Sequence, residues 1–89
     1  MKIIERTTQF KKDFKRYRNN PSKVAKLLEV VRLLENEQPL PEKMRTHMLT
    51  GIYQGCMECH IDGDYLLIWK DVSRDIIRLL RLGSHSALF

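Results

Sequence analysis

The sequence predicts an α+β fold: two N-terminal helices packed on one face of a small, mainly antiparallel sheet, in the order β-α-α-β-β-β-β. Three observations predict it. Apolar residues recur at helical spacing before Pro39, from Gly51 onward the pattern changes to short strand-like runs, and Asp62-Gly63 separates two of those runs as a hairpin turn does. No repeat and no linker interrupts the 89 residues, so residues 1–89 read as one domain.

The elements follow in order. Lys2 to Thr7 is short and β-branched, the pattern of an edge strand. Thr7 or Thr8 can cap a helix, because a side-chain oxygen there accepts an otherwise orphaned backbone N–H. Phe10, Phe14 and Tyr17 then recur at helical spacing, with Lys11, Lys12, Lys15 and Arg16 between them. Asn20-Pro21 starts a second helix, asparagine as N-cap and proline at the first helical position. Val24, Leu27, Leu28, Val31 and Leu34 form its apolar stripe. Gln38-Pro39-Leu40-Pro41 ends it, since proline lacks the N–H and restricts its predecessor. His47 falls in the loop that follows. Ile52-Tyr53 begins a strand, and Met57 to Ile61 is the next. Tyr65 to Trp69 is a continuous apolar run, as in a strand buried on both faces. Val72 to Asp75 turns, Ile76 to Leu82 is the last strand, and Gly83 ends it.

Composition narrows the function. The chain is 43% hydrophobic and 30% charged, which suits a folded protein and not a disordered one. Its formal charge of +5 suggests an anionic partner: nucleic acid, an acidic protein or a membrane surface. That charge is uneven. Residues 1–45 carry twelve Lys/Arg against six Asp/Glu, and residues 46–89 carry four against five, together with His47, His60 and His85. No apolar run reaches the ~18 residues of a membrane span. Met1-Lys2-Ile3-Ile4-Glu5-Arg6 lacks the apolar stretch of a signal peptide, so the expected location is cytoplasmic, with no membrane partner.

Cys56-Met57-Glu58-Cys59-His60 matches the C-x-x-C-H signature of c-type haem attachment. The chain shows no export signal, every methionine precedes His60 or lies before it in the motif, and the flanks read as strand. A zinc site lacks a second C-x-x-C or H-x-x-x-H pair. Cysteines three apart on a strand also point to opposite faces. The cysteines therefore read as two small buried thiols, and no metal or cofactor is expected.

Histidine takes and gives protons near neutral pH, so several histidines at one site suit general acid–base work. A strict two-residue turn at Asp62-Gly63 would pair Ile61 with Asp64 and His60 with Tyr65. His60 and Asp64 would then cooperate only across a wider loop. No G-x-S-x-G, P-loop, dinucleotide fingerprint or H-E-x-x-H occurs. What remains suits RNA phosphodiester cleavage: a base for the 2′-OH, an acid for the leaving 5′-oxygen, and cations for the phosphate.

The segments His47-Met48-Leu49-Thr50-Gly51, Glu58-Cys59-His60-Ile61 with Asp64, and Arg81-Leu82-Gly83-Ser84-His85-Ser86-Ala87-Leu88-Phe89 resemble the YafQ-type branch of the RelE/ParE toxin superfamily. The resemblance implies a toxin of a bacterial type II toxin–antitoxin pair, an endoribonuclease that cuts mRNA on the ribosome. It implies catalytic roles for His47, His60, Asp64 and His85, with His60 and His85 in proton transfer. Arg81 would stabilise phosphate charge and Phe89 would position a base or the backbone. Tyr65 stands where a tryptophan can follow the aspartate. Met57 replaces an arginine often found three residues before the strand histidine, which puts phosphate stabilisation in question. Lys11, Lys12, Lys15 and Arg16 would meet RNA or an acidic antitoxin, with DNA reached only through the antitoxin complex. A rival reading is a non-catalytic toxin of the same fold that inhibits a target such as gyrase by binding.

Overall fold

The computed structural model describes residues 1–89. The chain runs β1 (Ile3–Arg6), α1 (Thr8–Phe14), α2 (Pro21–Glu35), β2 (His47–Met48), β3 (Met57–Asp62), β4 (Tyr65–Asp71), β5 (Ile76–Gly83) and α3 (His85–Leu88), with 3-10 turns at Glu42–Met44 and Gly51–Tyr53. The sheet order is β1-β5-β4-β3-β2; β1 pairs parallel with β5 and the other neighbours are antiparallel. Two expectations change. Ile52-Tyr53 is a 3-10 turn and not a strand, and the second strand is instead the two residues His47–Met48, which takes His47 out of the loop. A single pair of residues against β3 leaves no hydrophobic alternation to read in a sequence.

Both helix starts follow their caps. Thr7 accepts from the N–H of Phe10 at 3.1 Å and Asn20 from that of Lys23 at 3.2 Å, with Pro21 in the first turn of α2. Thr7 also donates its hydroxyl to the Leu79 carbonyl at 2.9 Å, tying the start of α1 to β5.

Phe10, Leu27, Val30 and Leu34 from the helices bury against Cys59, Ile61, Tyr65, Leu67, Trp69, Ile77, Leu79 and Leu82 on one face of the sheet. Each such side chain contributes roughly 1.5–3 kcal/mol by leaving water. The opposite face has a smaller cluster: Cys56, Leu66, Ile68 and Leu88, with Leu49, Tyr53 and Leu80 at its margin. No helix is long and apolar enough to cross a membrane.

β1 ends at Arg6, level with Leu79, so the last residues of β5 lack a strand partner on that side. Asp13 of α1 fills the place. Its carboxylate accepts from the Leu82 N–H at 2.9 Å, from Arg81 Nε at 2.8 Å and Nη2 at 3.3 Å, and from Gln9 at 3.2 Å. Burial would raise its pKa, but those hydrogen bonds prevail and hold the carboxyl below its ordinary value.

Candidate functional site

The site lies on the sheet face away from α1 and α2. Along β3, Met57, Cys59 and Ile61 join the helix-side core, while Glu58 and His60 pair with Ile68 and Leu66, whose side chains belong to the smaller cluster. Cys56 and Cys59 consequently sit in different clusters on opposite faces and cannot close on one metal or one haem. Burial, with Glu58 adding to it, pushes the Cys59 thiol up to about 12, which keeps it a neutral packing group.

A bulge sets the hairpin. The ladder passes from His60↔Leu66 to Asp62↔Tyr65, leaving Ile61 as the extra residue, so the two-residue turn is Gly63-Asp64 and not Asp62-Gly63. Gly63 takes the first turn position with φ at 56°, as Gly-X hairpin loops require. The shift corrects the strict pairing expected from the sequence and leaves Asp64 at the rim. There its Oδ1 accepts from the backbone N–H of His85 at 2.8 Å. Asp64 thus holds the start of α3 and the orientation of His85, without touching either of the other histidines by hydrogen bond.

Glu58 is the residue that sequence reasoning missed. It is 3% exposed, and its Oε1 lies 3.3 Å from His47 Nε2 and 3.6 Å from His60 Nε2. Its Oε2 is buried with no hydrogen-bond partner. His47 reaches it because β2 pairs His47 directly with Glu58. The far side of each ring is fixed as well. His47 Nδ1 meets the Arg45 carbonyl at 2.6 Å, and His60 Nδ1 meets the Gly63 carbonyl at 3.2 Å. A carbonyl only accepts, so both Nδ1 atoms carry a proton and both Nε2 atoms turn toward the carboxylate. The two rings are 6.4 Å apart and remain partly open to solvent. A glutamate between strand histidines could have been found from the His47↔Glu58 pairing, had the two-residue strand been legible.

His85 approaches from the other side. His60, Leu66 and Gly83 lie in register on three neighbouring strands. The His60 and Gly83 backbones are therefore about 10 Å apart, two strand spacings. Gly83 has φ at 158°, a conformation that side chains rarely adopt, while a Cβ there would meet Leu88 at an ordinary 3.5 Å, so the backbone and not the space favours glycine where the chain turns into α3. Ser84 caps α3 by accepting from the Ala87 N–H at 3.2 Å. The His85 ring stacks on Phe89 at 4.7 Å, and Phe89 meets Tyr53 edge-on at 5.3 Å.

Tyr65 and Arg81, both expected to contact substrate, are engaged within the protein. Tyr65 is 2% exposed and points into the helix-side core, where its hydroxyl donates to the Lys23 carbonyl at 3.3 Å and burial pushes its pKa up to about 12. The bulge at Ile61 leaves Tyr65 directly opposite Asp62, on the covered face. Arg81, expected to meet phosphate, instead donates twice to Asp13 and, through Nη1, to the Tyr53 hydroxyl at 3.2 Å. Tyr53 in turn donates to the Leu88 carbonyl at 2.9 Å, so Arg81 braces the aromatic wall against α1. Met57 packs against the helix-side core, so a cation at that position would start from the face opposite His60.

The basic residues lie elsewhere. Lys11, Lys12, Lys15 and Arg16 are all exposed on or just after α1. Lys11 and Lys15, with Arg6 and Arg18, rim a groove of about 440 Å³ floored by Phe10, Phe14, Leu27, Leu28 and Val31. This groove belongs to the helical side, away from the histidines.

A family model described as bacterial toxin of type II toxin–antitoxin system, YafQ, matches residues 2–89. The chain is 34% identical over 87 residues to the mRNA interferase toxin YafQ of Escherichia coli K12, covering 97% of this chain and 94% of that protein. A copper-bound mutant toxin from Helicobacter pylori is 37% identical and superposes with a TM-score of 0.88 over 100% of both chains. A chain of the Escherichia coli DinJ-YafQ complex is 33% identical, with a TM-score of 0.85 over 100% of this chain and 99% of its own. On the family match and on this identity along nearly its whole length, the chain belongs to the YafQ family of bacterial type II toxin–antitoxin toxins.

Proposed function

We propose that the protein is an mRNA endoribonuclease acting in the cytoplasm on ribosome-bound message, with residues 1–89 as one catalytic domain. The relative named mRNA interferase toxin YafQ supports the substrate. The observation that carries the chemistry is the convergence of His47 and His60 on the buried Glu58, with His60 in register with Gly83, two residues before His85.

His60 Nε2 takes the proton of the ribose 2′-OH. The 2′-oxygen attacks the adjacent phosphorus as the bond from phosphorus to the 5′-oxygen breaks, leaving a 2′,3′-cyclic phosphate. His85 returns a proton to the departing 5′-oxygen. Glu58 stabilises the imidazolium formed when His60 is protonated, and His47 shares that carboxylate as a second proton acceptor. Asp64 orients His85 through the backbone N–H that it holds. Phe89, stacked on the His85 ring, fixes its plane and offers a face to a base. The open site suits a substrate presented by a large partner.

The groove between α1 and α2 suits an amphipathic antitoxin segment whose apolar side enters and whose acidic flank meets Lys11, Lys15 and Arg18. The Escherichia coli DinJ-YafQ toxin–antitoxin complex gives a relative with an antitoxin partner.

The test is cleavage of mRNA on programmed ribosomes. His85→Ala lowers the rate by on the order of 10²–10⁴, the usual worth of a positioned acid or base. Binding of the antitoxin stays unchanged. A His85→Ala protein that cuts at the wild-type rate sinks the assignment.

A further inference from the structure

Phosphoryl transfer needs cations beside the reacting phosphate, and several of the chain's cations are already committed within the protein. Arg81 is held by Asp13 at 2.8 Å, Arg78 by Glu5 at 2.9 Å and Lys26 by Asp62 at 2.6 Å. Lys23 lies over the Tyr65 ring at 4.5 Å. Lys43 and Arg45 form no ion pair. Both line a cavity of about 380 Å³ whose other walls are His60 and Gly63, with no apolar residue and no carboxylate among the four. An adjoining cavity of about 270 Å³ shares Lys43, His60 and Gly63 and runs away from Arg45 toward Lys26, Glu29 and Asp62.

The segment that carries these cations is held at its middle and at Arg45. Met44, between them, is 6% exposed and anchors the Glu42–Met44 turn in the helix-side core. Arg45 has φ at 51°, in the left-handed region that a side chain disfavours. That conformation puts its carbonyl 2.6 Å from His47 Nδ1. A glycine or asparagine would adopt it with less strain, and neither would bring a guanidinium. One residue thus sets the ring of His47 with its backbone and charges the cleft of His60 with its side chain.

From this arrangement we infer that Lys43, Arg45 and the rim of His60 form a subsite for an RNA backbone phosphate flanking the bond that is cut. The inference rests on the proposed endoribonuclease activity and adds unpaired cations on the histidine side to Arg81, which Asp13 already holds. Arg45 can take two phosphate oxygens through its planar fork, and Lys43 supplies a mobile point charge beside it. The missing arginine at position 57 is not needed, because these cations reach the histidine side from the loop before β2.

The test combines two measurements on the full chain. The first is cleavage on mRNA-programmed ribosomes by Lys43→Gln, Arg45→Gln and Arg45→Lys. Each glutamine variant lowers the rate about tenfold, less than the roughly 10²–10³ lost with a donor at the reacting oxyanion itself. Arg45→Lys recovers part of the loss. The second is the salt dependence of binding to a short single-stranded RNA with a 2′-deoxy nucleotide at the cleavage position. Loss of one phosphate contact flattens log K against log salt by about 0.7. His85→Ala lowers cleavage by on the order of 10²–10⁴ and leaves that slope at the wild-type value. Glutamine variants that cut within twofold of wild type with an unchanged slope overturn the subsite while the catalytic reading stands. His60→Ala and His85→Ala proteins that both cut normally overturn the catalytic reading, and the slopes then judge the phosphate contact by itself. Thermal unfolding of each variant accompanies both measurements, and a rate loss that tracks loss of folded protein, with no change of slope, also counts against the subsite.

Discussion

The two faces of the sheet each bury one carboxylate, and the two carboxylates are treated differently. On the helix side Asp13 is 3% exposed and saturated: Arg81, Gln9 and the Leu82 N–H all donate to it. On the histidine side Glu58 is equally buried, yet it meets only two imidazoles and keeps one oxygen without a partner. A saturated carboxylate locks an edge. A buried carboxylate with an unpartnered oxygen is a cost to stability that a proton-transfer site can use. The surrounding cores agree with this division. Thirteen buried residues stand on the helix side and four on the other, so the fold is held mainly by the face that does no chemistry.

The largest effect expected from this contrast is on stability. Asp13→Ala strands the Arg81 guanidinium and the Leu82 N–H. It should cost about 3 kcal/mol, the low end for a broken buried pair because Arg81 stays partly exposed. Cleavage per folded molecule falls far less than on loss of a histidine, through the loosened Arg81 brace on Tyr53. The pH dependence has a definite sign. Asp13 titrates below its ordinary value, so its contribution is complete above the unfolded pKa of about 4 and is lost as pH falls through the lower folded value. Acid unfolding of wild type and Asp13→Asn protein checks this: the substitution removes part of the acid-limb slope and lowers stability at pH 7.

Glu58→Gln reverses the pattern. The amide keeps the shape and removes the buried charge, so the melting temperature holds or rises. Cleavage falls by on the order of 10²-fold, the low end for a group that supports an acid or base. A Glu58→Gln protein with a lower melting temperature and full activity would make Glu58 a structural residue like Asp13, and the contrast between the faces would collapse.

Legibility divides along the same line. The helix side could be read because its signals are local and periodic: the stripe from Val24 to Leu34, the Asn20-Pro21 start and the run from Tyr65 to Trp69. The histidine side depends on pairing. The bulge at Ile61 moves the turn by one residue, turns Tyr65 inward and leaves Asp64 at the rim. The two-residue β2 brings His47 onto Glu58, and no periodicity marks so short a strand. Arg81 was readable as a cation near His85, but its partner Asp13 lies 68 residues away, a separation that no local pattern reports. Residues that resemble a family's active site could be named from sequence; which of them touch one another could not.

The smallest expected effect bears most directly on the separation of the faces. The family resemblance leads one to expect an arginine where this chain has Met57, and introducing that cation looks at first like a gain of function. Met57 packs against the helix-side core and borders Leu34, Leu40 and Trp69. An arginine there can bury its methylenes and run its guanidinium out toward Asp71, which borders the same hollow, at a stability cost of about 1 kcal/mol or less. It remains on the wrong side of β3 from His60. Met57→Arg should therefore change the cleavage rate by less than about twofold, or about 0.4 kcal/mol in the barrier. A tenfold increase would mean that a side chain at position 57 crosses the strand edge to the phosphate, and that the two faces are less insulated than their packing indicates.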